Sequence, residues 1–147
     1  MKRISFKRAL VLTVWLAAIA FMFVACDNEL DIKQAYSFDL ETMPVQKRIA
    51  EGETAEIRCR IVQEGNYSET AFRIRYFQTD GKGELKLEDG TVLLPNDLYP
   101  LDKTTFRLYY TSQSTDQQVI DVYIEDSFDQ VVQTTFSFQN EGTEEEK

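Results

Sequence analysis

The sequence predicts an all-β domain in which two sheets pack face to face as a sandwich. From residue 30 onward, apolar and polar side chains alternate with a period of two, which is the pattern of half-buried strands. No window there keeps apolar residues at spacings of three and four over three helical turns. Gly, Pro, Asn and Asp residues separate seven to eight alternating segments, as expected for a sandwich of about 110 residues.

The first three strands each place their apolar side chains on one parity. Met43 and Pro44 end the first strand. Gly65 and Asn66 mark the turn after the second strand, and residues 80–83 form a hairpin turn after the third. The side chains predicted to face the core are those of Leu30, Ile32, Tyr36, Phe38, Leu40, Ala55, Ile57, Cys59, Ile61, Phe72, Ile74 and Tyr76.

The later strands continue this alternation. Residues 91–94 follow a short strand, and Pro95 and Pro100 bracket a loop that is incompatible with a central strand. Residues 112–118 are polar and are predicted to be a connection. The predicted core side chains are those of Leu85, Leu87, Phe106, Leu108, Tyr110, Ile120, Val122, Ile124, Val132, Thr134, Phe136 and Phe138.

This number and spacing of strands is typical of an immunoglobulin-like β-sandwich, and a small β-barrel is the alternative. Two hallmarks are missing. The only Trp, Trp15, precedes the strands, and the penultimate strand has Val122 where a disulfide partner of Cys59 would stand. We therefore expect Cys59 to be a buried core residue and apolar packing to replace the disulfide.

The composition excludes several classes of function. Without any His, the chain has no Ser-His-Asp or Cys-His triad and no His-based zinc site. The formal net charge is −9, and loss of the four basic residues before residue 26 makes it −13, which repels nucleic acids. The acids fall on outward parities, in turns or near the end of the sequence, which does not favour a catalytic pair. We expect no enzymatic activity, no cofactor and no nucleic-acid partner.

Residues 1–25 are predicted to be the signal peptide of a bacterial lipoprotein. A basic start precedes an apolar stretch over residues 9–25, which is slightly short for a membrane span. Ala25-Cys26 at the border with Asp27 resembles a lipobox, in which the Cys26 thiol takes a diacylglyceryl group. We expect lipidation at Cys26 and an extracytoplasmic, lipid-anchored domain in the cell envelope, periplasmic or at the cell surface. A cleaved soluble protein and an uncleaved anchor are the alternatives.

The predicted domain organisation has three parts. Residues 1–25 form the signal peptide, residues 26–139 the sandwich domain, and residues 140–147 a disordered acidic tail.

The acids at residues 121–129 lack the residue order of a loop-type calcium site, so we favour a solvated turn and predict no metal. The triplet at residues 66–68 matches a glycosylation signal that usually has no meaning in a bacterial lipoprotein.

Arginine and aromatic residues indicate two candidate partner-binding surfaces, because these residue types are enriched in interface hot spots. Pairing of the second strand with the fifth places four of them on one outer face: Arg58, Arg60, Arg107 and Tyr109. Pairing of the third strand with the penultimate one places others on the opposite outer face: Arg73, Arg75, Phe77 and Tyr123, beside Asp121. The alternative is simple cross-strand ion pairing, such as Arg73 or Arg75 with Asp121.

The mature chain resembles the TraQ-type lipoproteins of Bacteroides conjugative transposons. The similar segments are Cys26-Asp-Asn-Glu-Leu-Asp31, Tyr36-Ser-Phe-Asp-Leu-Glu41, Glu64-Gly65, Phe72-Arg-Ile-Arg-Tyr-Phe77, Phe106-Arg-Leu-Tyr-Tyr-Thr111 and Ile120-Asp-Val-Tyr-Ile-Glu125. The resemblance implies a role in conjugal DNA transfer in the donor envelope, with other envelope or transfer proteins as partners, and it implies no catalytic residue. The alternative is a glycan- or ligand-binding lipoprotein, which the absence of Trp after residue 15 disfavours.

Overall fold

Two open β-sheets make up the described part of the chain. The computed structural model describes residues 35–65 and 69–141, and these contain ten strands and no helix. Sheet 1 has the spatial order β1 (Phe38–Thr42), β3 (Thr54–Gln63), β8 (Thr105–Ser112), β5 (Gly83–Leu87) and β6 (Val92–Leu93). Sheet 2 has the order β2 (Arg48–Ile49), β10 (Val131–Asn140), β9 (Gln118–Asp126), β4 (Phe72–Asp80) and β7 (Tyr99–Leu101). The predicted sandwich is confirmed, and the barrel alternative is wrong because both sheets have free edges.

One apolar core fills the space between the two sheets. The inward parities of the long strands supply it, as the alternation predicts. Among the described residues predicted to face inward, Tyr36, Val132 and Thr134 are half-buried and all the others are buried. Cys59 is 2% exposed and unpaired, so the predicted core role of this thiol is confirmed.

The strand pairing that the two surfaces require is present. β3 pairs antiparallel with β8, and β4 pairs antiparallel with β9. Since side chains alternate between the faces of a sheet, these registers fix which residues share each outer surface.

The structure has ten strands where seven to eight were expected, and three of the ten are short: β2, β6 and β7. After Thr42 the chain leaves sheet 1 and joins sheet 2, where β2 runs parallel to the end of β10. β6 is a two-residue edge strand within residues 91–94. β7 includes Pro100, which was predicted to bound a loop. The strand tolerates this proline because it lies at the edge of sheet 2.

The two ends of the domain lie at opposite ends of the sandwich. Phe38 pairs with Gln63 at the end of β3. Asn140 pairs with Ile49, which precedes the start of β3 at Thr54 by one turn. Asn140 was predicted to begin the tail, but it is the last residue of β10.

Several predictions fall outside the described residues. These are the signal peptide, Cys26, the positions of Leu30 and Ile32, the triplet at residues 66–68 and the tail from residue 142 onward. Within the described ranges, no helix has the length and hydropathy needed to cross a membrane.

Candidate interaction surfaces

The outer face of sheet 1 brings the first predicted set of residues together. We call the surface formed by Arg58, Arg60, Arg107 and Tyr109 the arginine face. The register places Arg58 directly opposite Arg107, and Tyr109 directly opposite Glu56. The three arginines are exposed and Tyr109 is half-buried. The predicted grouping of these four residues is therefore present in the structure.

One carboxylate lies between the two opposed arginines. Glu56 Oε1 is 3.1 Å from Arg58 Nε and 3.2 Å from Arg107 Nε. The hydrogen bond from Arg58 is the main reason that the pKa of Glu56 is lowered. The pKa of Arg107 is raised, first by its hydrogen bond with Tyr109 and then by Glu56. The four side chains thus form one electrostatically coupled group.

A groove lies beside this group, and the ion pair between Arg60 and Glu41 is part of its lining. Arg60 approaches Glu41 Oε2 through both Nη2, at 2.6 Å, and Nε, at 3.1 Å. The groove has a volume of about 630 Å³ and is open to solvent. Its lining combines the three arginines with the apolar side chains of Met43, Pro44 and Phe106. Guanidinium groups beside apolar side chains suit a segment that offers carboxylates and an apolar side chain.

The outer face of sheet 2 brings the second predicted set together. We call the surface formed by Arg73, Arg75, Phe77 and Tyr123 the aromatic face. The guanidinium carbon of Arg75 lies 5.6 Å from the ring centre of Tyr123 and 5.9 Å from that of Phe77. The two rings meet edge to face with their centres 5.6 Å apart. These are cation–π and aromatic contacts within one partly buried cluster.

The ion pairing on the aromatic face differs from the prediction. Arg75 Nη2 lies 2.7 Å from Glu125 Oε1, and no ion pair with Asp121 is present among the described residues. Asp121 instead accepts hydrogen bonds from Thr135 Oγ1, at 2.5 Å, and Thr79 Oγ1, at 3.1 Å. The bond from Thr135 is the main cause of the lowered pKa of Asp121. The predicted pairing of Arg73 or Arg75 with Asp121 is therefore wrong.

A buried polar cluster, which the sequence pattern did not predict, lies where β9 begins. Gln118 is fully buried. Its Oε1 accepts hydrogen bonds from the backbone N–H of Lys82, at 2.8 Å, and from the Tyr110 hydroxyl, at 2.7 Å. Its Nε2 donates to Ser114 Oγ, at 2.8 Å, and to the Asp116 carbonyl, at 2.9 Å. Because both polar atoms of the Gln118 amide have partners, this cluster stabilises the fold.

Asp126, one of the acids at residues 121–129, has a structural role, which differs from the predicted solvated turn. Asp126 is 1% exposed. Its Oδ1 accepts the backbone N–H groups of Phe128 and Gln130, and its Oδ2 accepts Gln130 Nε2, each at 2.8 Å. Within residues 35–65 and 69–141, no group of three or more Cys, Asp or Glu side chains is placed to hold a metal ion.

Comparison with known proteins gives one family match. The chain matches the family model described as TraQ conjugal transfer protein over residues 9–141. None of the curated proteins matches at a significant level.

Three solved structures from Bacteroides are similar in both sequence and fold. A lipoprotein from Bacteroides thetaiotaomicron is 60% identical with a TM-score of 0.69, covering 82% of this chain and 93% of its own. A conjugate transposon protein from Bacteroides vulgatus is 53% identical with a TM-score of 0.66, over 82% of this chain and 96% of its own. A conjugative transposon lipoprotein from Bacteroides eggerthii is 42% identical with a TM-score of 0.68, over 72% of this chain and 100% of its own.

Proposed function

This chain belongs to the TraQ conjugal transfer protein family, and from that premise we propose that it is a non-enzymatic component of a conjugative DNA-transfer apparatus. In this role it acts by binding other envelope or transfer proteins. Two of the similar Bacteroides structures are of conjugative transposon proteins, which supports the assignment to transfer. The lack of any His removes the commonest general base and supports a non-catalytic role.

The domain works from the outer side of a membrane in this proposal. Lipidation at Cys26 tethers it there, and the remaining chain lies outside the cytoplasm. The description of two similar Bacteroides structures as lipoproteins supports this location. Two or three acyl chains, at about 0.8 kcal/mol per buried CH₂, make such an anchor stable, whereas a single chain binds reversibly.

The arginine face is the proposed contact surface. The observation that supports it is the direct opposition of Arg58 and Arg107, with Glu56 as the single carboxylate between them. Like charges opposite each other on paired strands destabilise a sheet. A partner that supplies further carboxylates relieves this cost and also fills the groove over Met43 and Phe106.

Mating frequency tests the proposal. A donor whose element lacks the gene should transfer poorly, and the wild-type gene should restore transfer. Complementation with Arg58→Glu/Arg60→Glu/Arg107→Glu should leave mating lower by at least about tenfold, as expected for the loss of hot-spot contacts. The matched control is Lys47→Glu/Arg48→Glu/Lys82→Glu, which makes the same change in charge at exposed positions outside both candidate surfaces and should restore transfer.

Two results would count against this proposal in different ways. Unchanged mating after deletion of the gene would exclude the role in transfer. Full rescue by the charge-reversed arginine variant would exclude the arginine face and move the contact to the aromatic face, where Arg75 and Tyr123 become the next residues to replace.

A further inference from the structure

One sheet edge lacks the features that normally keep strands of different molecules from pairing. β10 is an edge strand of sheet 2 along most of its length, because β2 pairs only with Gln139 and Asn140. No other described strand pairs with that side of β10. Residues 130–140 are the longest uncharged stretch after residue 26, and they contain neither Pro nor Gly.

The other three edges of the described sheets carry such protection. β1 is five residues long and includes Asp39 and Glu41, β6 has two residues, and β7 contains Pro100. Charged side chains, short strands and prolines are the usual means by which an edge strand avoids pairing with another chain. The uncharged edge of β10 is therefore an exception within this domain.

The backbone of β10 directs hydrogen-bonding groups to this free edge at odd-numbered residues. The N–H of Gln139 points to that side, where it donates to the Lys47 carbonyl at 2.7 Å. Since the direction of these groups alternates along a strand, the same side receives the N–H and C=O groups of Val131, Gln133 and Thr135. These three residues offer six hydrogen-bonding groups to an added strand.

Space for an added strand lies beside the first half of β10. Residues 42–47 cross from sheet 1 to sheet 2, and they line a groove of about 360 Å³ together with residues 134–138. The crossing segment pairs with β10 only from Gln139 onward. The part of the edge farthest from that pairing is Val131–Thr135, and Val131 is 51% exposed.

This part of the strand matches itself when two copies run antiparallel. Residues 131–135 read Val-Val-Gln-Thr-Thr, and Val and Thr are both β-branched with nearly the same shape. With Gln133 opposite Gln133 of the second copy, Val131 lies opposite Thr135. Val132 likewise lies opposite Thr134. β-branched residues suit strands and cross-strand pairs, and this register also brings odd-numbered residues opposite each other, so all six backbone groups find partners.

We propose that two copies of this chain pair antiparallel through Val131–Thr135, about a twofold axis at Gln133. The two five-stranded second sheets then form one continuous sheet. The chain has a net charge of −9, and this uncharged edge lets two copies meet without opposing carboxylates. The proposal goes beyond the role in transfer and does not depend on it.

Disulfide trapping of the full chain in the membranes of expressing cells tests the contact. Gln133→Cys places a thiol opposite its own copy, where the Cα atoms of antiparallel strands lie about 5.5 Å apart, a separation that a disulfide spans. Mild oxidation should yield about tenfold more linked dimer than in the wild type, which has the same native cysteines. Glu51→Cys, at an exposed turn, is the matched control and should stay at the wild-type level.

Mixing two variants tests the register. Val131→Cys alone, or Thr135→Cys alone, leaves the two introduced thiols about 14 Å apart along the strands, which is too far for a disulfide. When the two variants are co-expressed with different tags, each thiol lies opposite the other. Oxidation should then link unlike chains at least about fivefold more than like chains.

Gln133→Lys in both chains tests the edge itself, because it places two ammonium groups opposite each other at the twofold axis. It should lower the link between Val131→Cys and Thr135→Cys chains at least about fivefold. Gln133 is exposed, so the change leaves the core intact. Gln113→Lys makes the same change at an exposed position of the β8–β9 connection and should have no effect.

Two results would overturn this proposal. One is cross-linking of Gln133→Cys no stronger than that of Glu51→Cys, and the other is equal linking of like and unlike chains in the mixing experiment. None of these measurements involves mating. A failure of the dimer is therefore distinguishable from a failure of the role in transfer.

Discussion

The ring of Tyr36 packs directly on the backbone of Gly65. A Cβ atom at residue 65 would lie 2.2 Å from Cδ1 of that ring, which is far inside van der Waals contact. The backbone carbonyl of Tyr36 also accepts a hydrogen bond from Gln130 Nε2, at 3.1 Å, and Gln130 is in turn held by Asp126. The segment before β1 is thereby fixed to two turns at one end of the sandwich.

Gly65→Ala should destabilise the domain by about 1–3 kcal/mol, because the new methyl group displaces the Tyr36 ring. Urea unfolding measures the change. The double variant Gly65→Ala/Tyr36→Ala separates the causes: in the Tyr36→Ala background, Gly65→Ala should cost much less. An equal cost in both backgrounds would show that the ring is not the obstacle.

Tyr110→Phe should cost about 1–2 kcal/mol, because it removes a buried hydroxyl that lies 2.7 Å from Gln118 Oε1 and 3.2 Å from Gln78 Oε1. The Tyr110 ring, stacked on Phe138 with centres 5.3 Å apart, remains in place. The control is Tyr109→Phe on the outer face, expected to change stability by less than about 0.5 kcal/mol. Equal effects of the two variants would contradict the importance of the buried cluster.

Cys59 should make the domain less stable at alkaline pH. Burial raises the pKa of its thiol from 9.0 to about 12. Since the folded state holds the neutral thiol, this contribution is complete below pH 9 and is lost as the pH rises from about 9 to about 12. Burial also raises the pKa of Tyr76 and Tyr110, so their contributions to stability are likewise lost as the pH rises.

The free energy of unfolding, measured from pH 8 to pH 11, checks this. In the Cys59→Ala variant it should decline less steeply with pH, but it should still decline because Tyr76 and Tyr110 remain. The thiol should also resist thiol reagents until denaturant is added. Rapid reaction of Cys59 in the folded protein would contradict its burial.

The stability of the domain should not depend on metal or on a disulfide. Asp126 uses both carboxylate oxygens within its own turn, and Cys59 is unpaired. Thermal unfolding followed by circular dichroism should give the same midpoint with and without EDTA and with and without reductant. A clear loss of stability in EDTA would restore the calcium hypothesis for the acids at residues 121–129.

Lipidation at Cys26 predicts that labelled palmitate fed to expressing cells enters the protein. Cys26→Ser should abolish both the labelling and the cleavage of the signal peptide, since the modification precedes the cut. Cys59→Ser is the control and should be labelled like the wild type. Equal labelling of the Cys26→Ser protein would exclude this anchor.

The sequence pattern located both outer faces because long strands leave little freedom of register. A slip of one residue would turn Arg58 and Arg60 into the core and expose Ile57 and Cys59, so burial alone fixes the parity. The pattern missed β2 because two residues have no periodicity. Its pairing with β10 follows only from the folded chain.

The partners of hydrogen bonds and ion pairs were harder to predict than which side chains face the core. Arg75 lies opposite Tyr123, so Asp121 and Glu125 are both diagonal neighbours, one on each side. Asp121 is hydrogen-bonded by Thr79 and Thr135, and Glu125 is the acid that pairs with Arg75. Thr135 belongs to the neighbouring strand β10, so the alternation along β4 and β9 does not reveal this choice. The burial of Gln118 likewise depends on the backbone N–H of Lys82, which is distant in sequence.

Because Phe38 and Asn140 lie at opposite ends of the sandwich, the domain has two distinct ends separated by the length of its strands. β3 alone, with ten residues, spans about 33 Å between the two ends. Gln63 lies at the end that holds Phe38, and Asn140 lies at the other end beside Ile49. Fluorophores attached at Gln63 and Gln139 would therefore lie at least roughly one strand length apart, and energy transfer between them would fall when the sandwich unfolds.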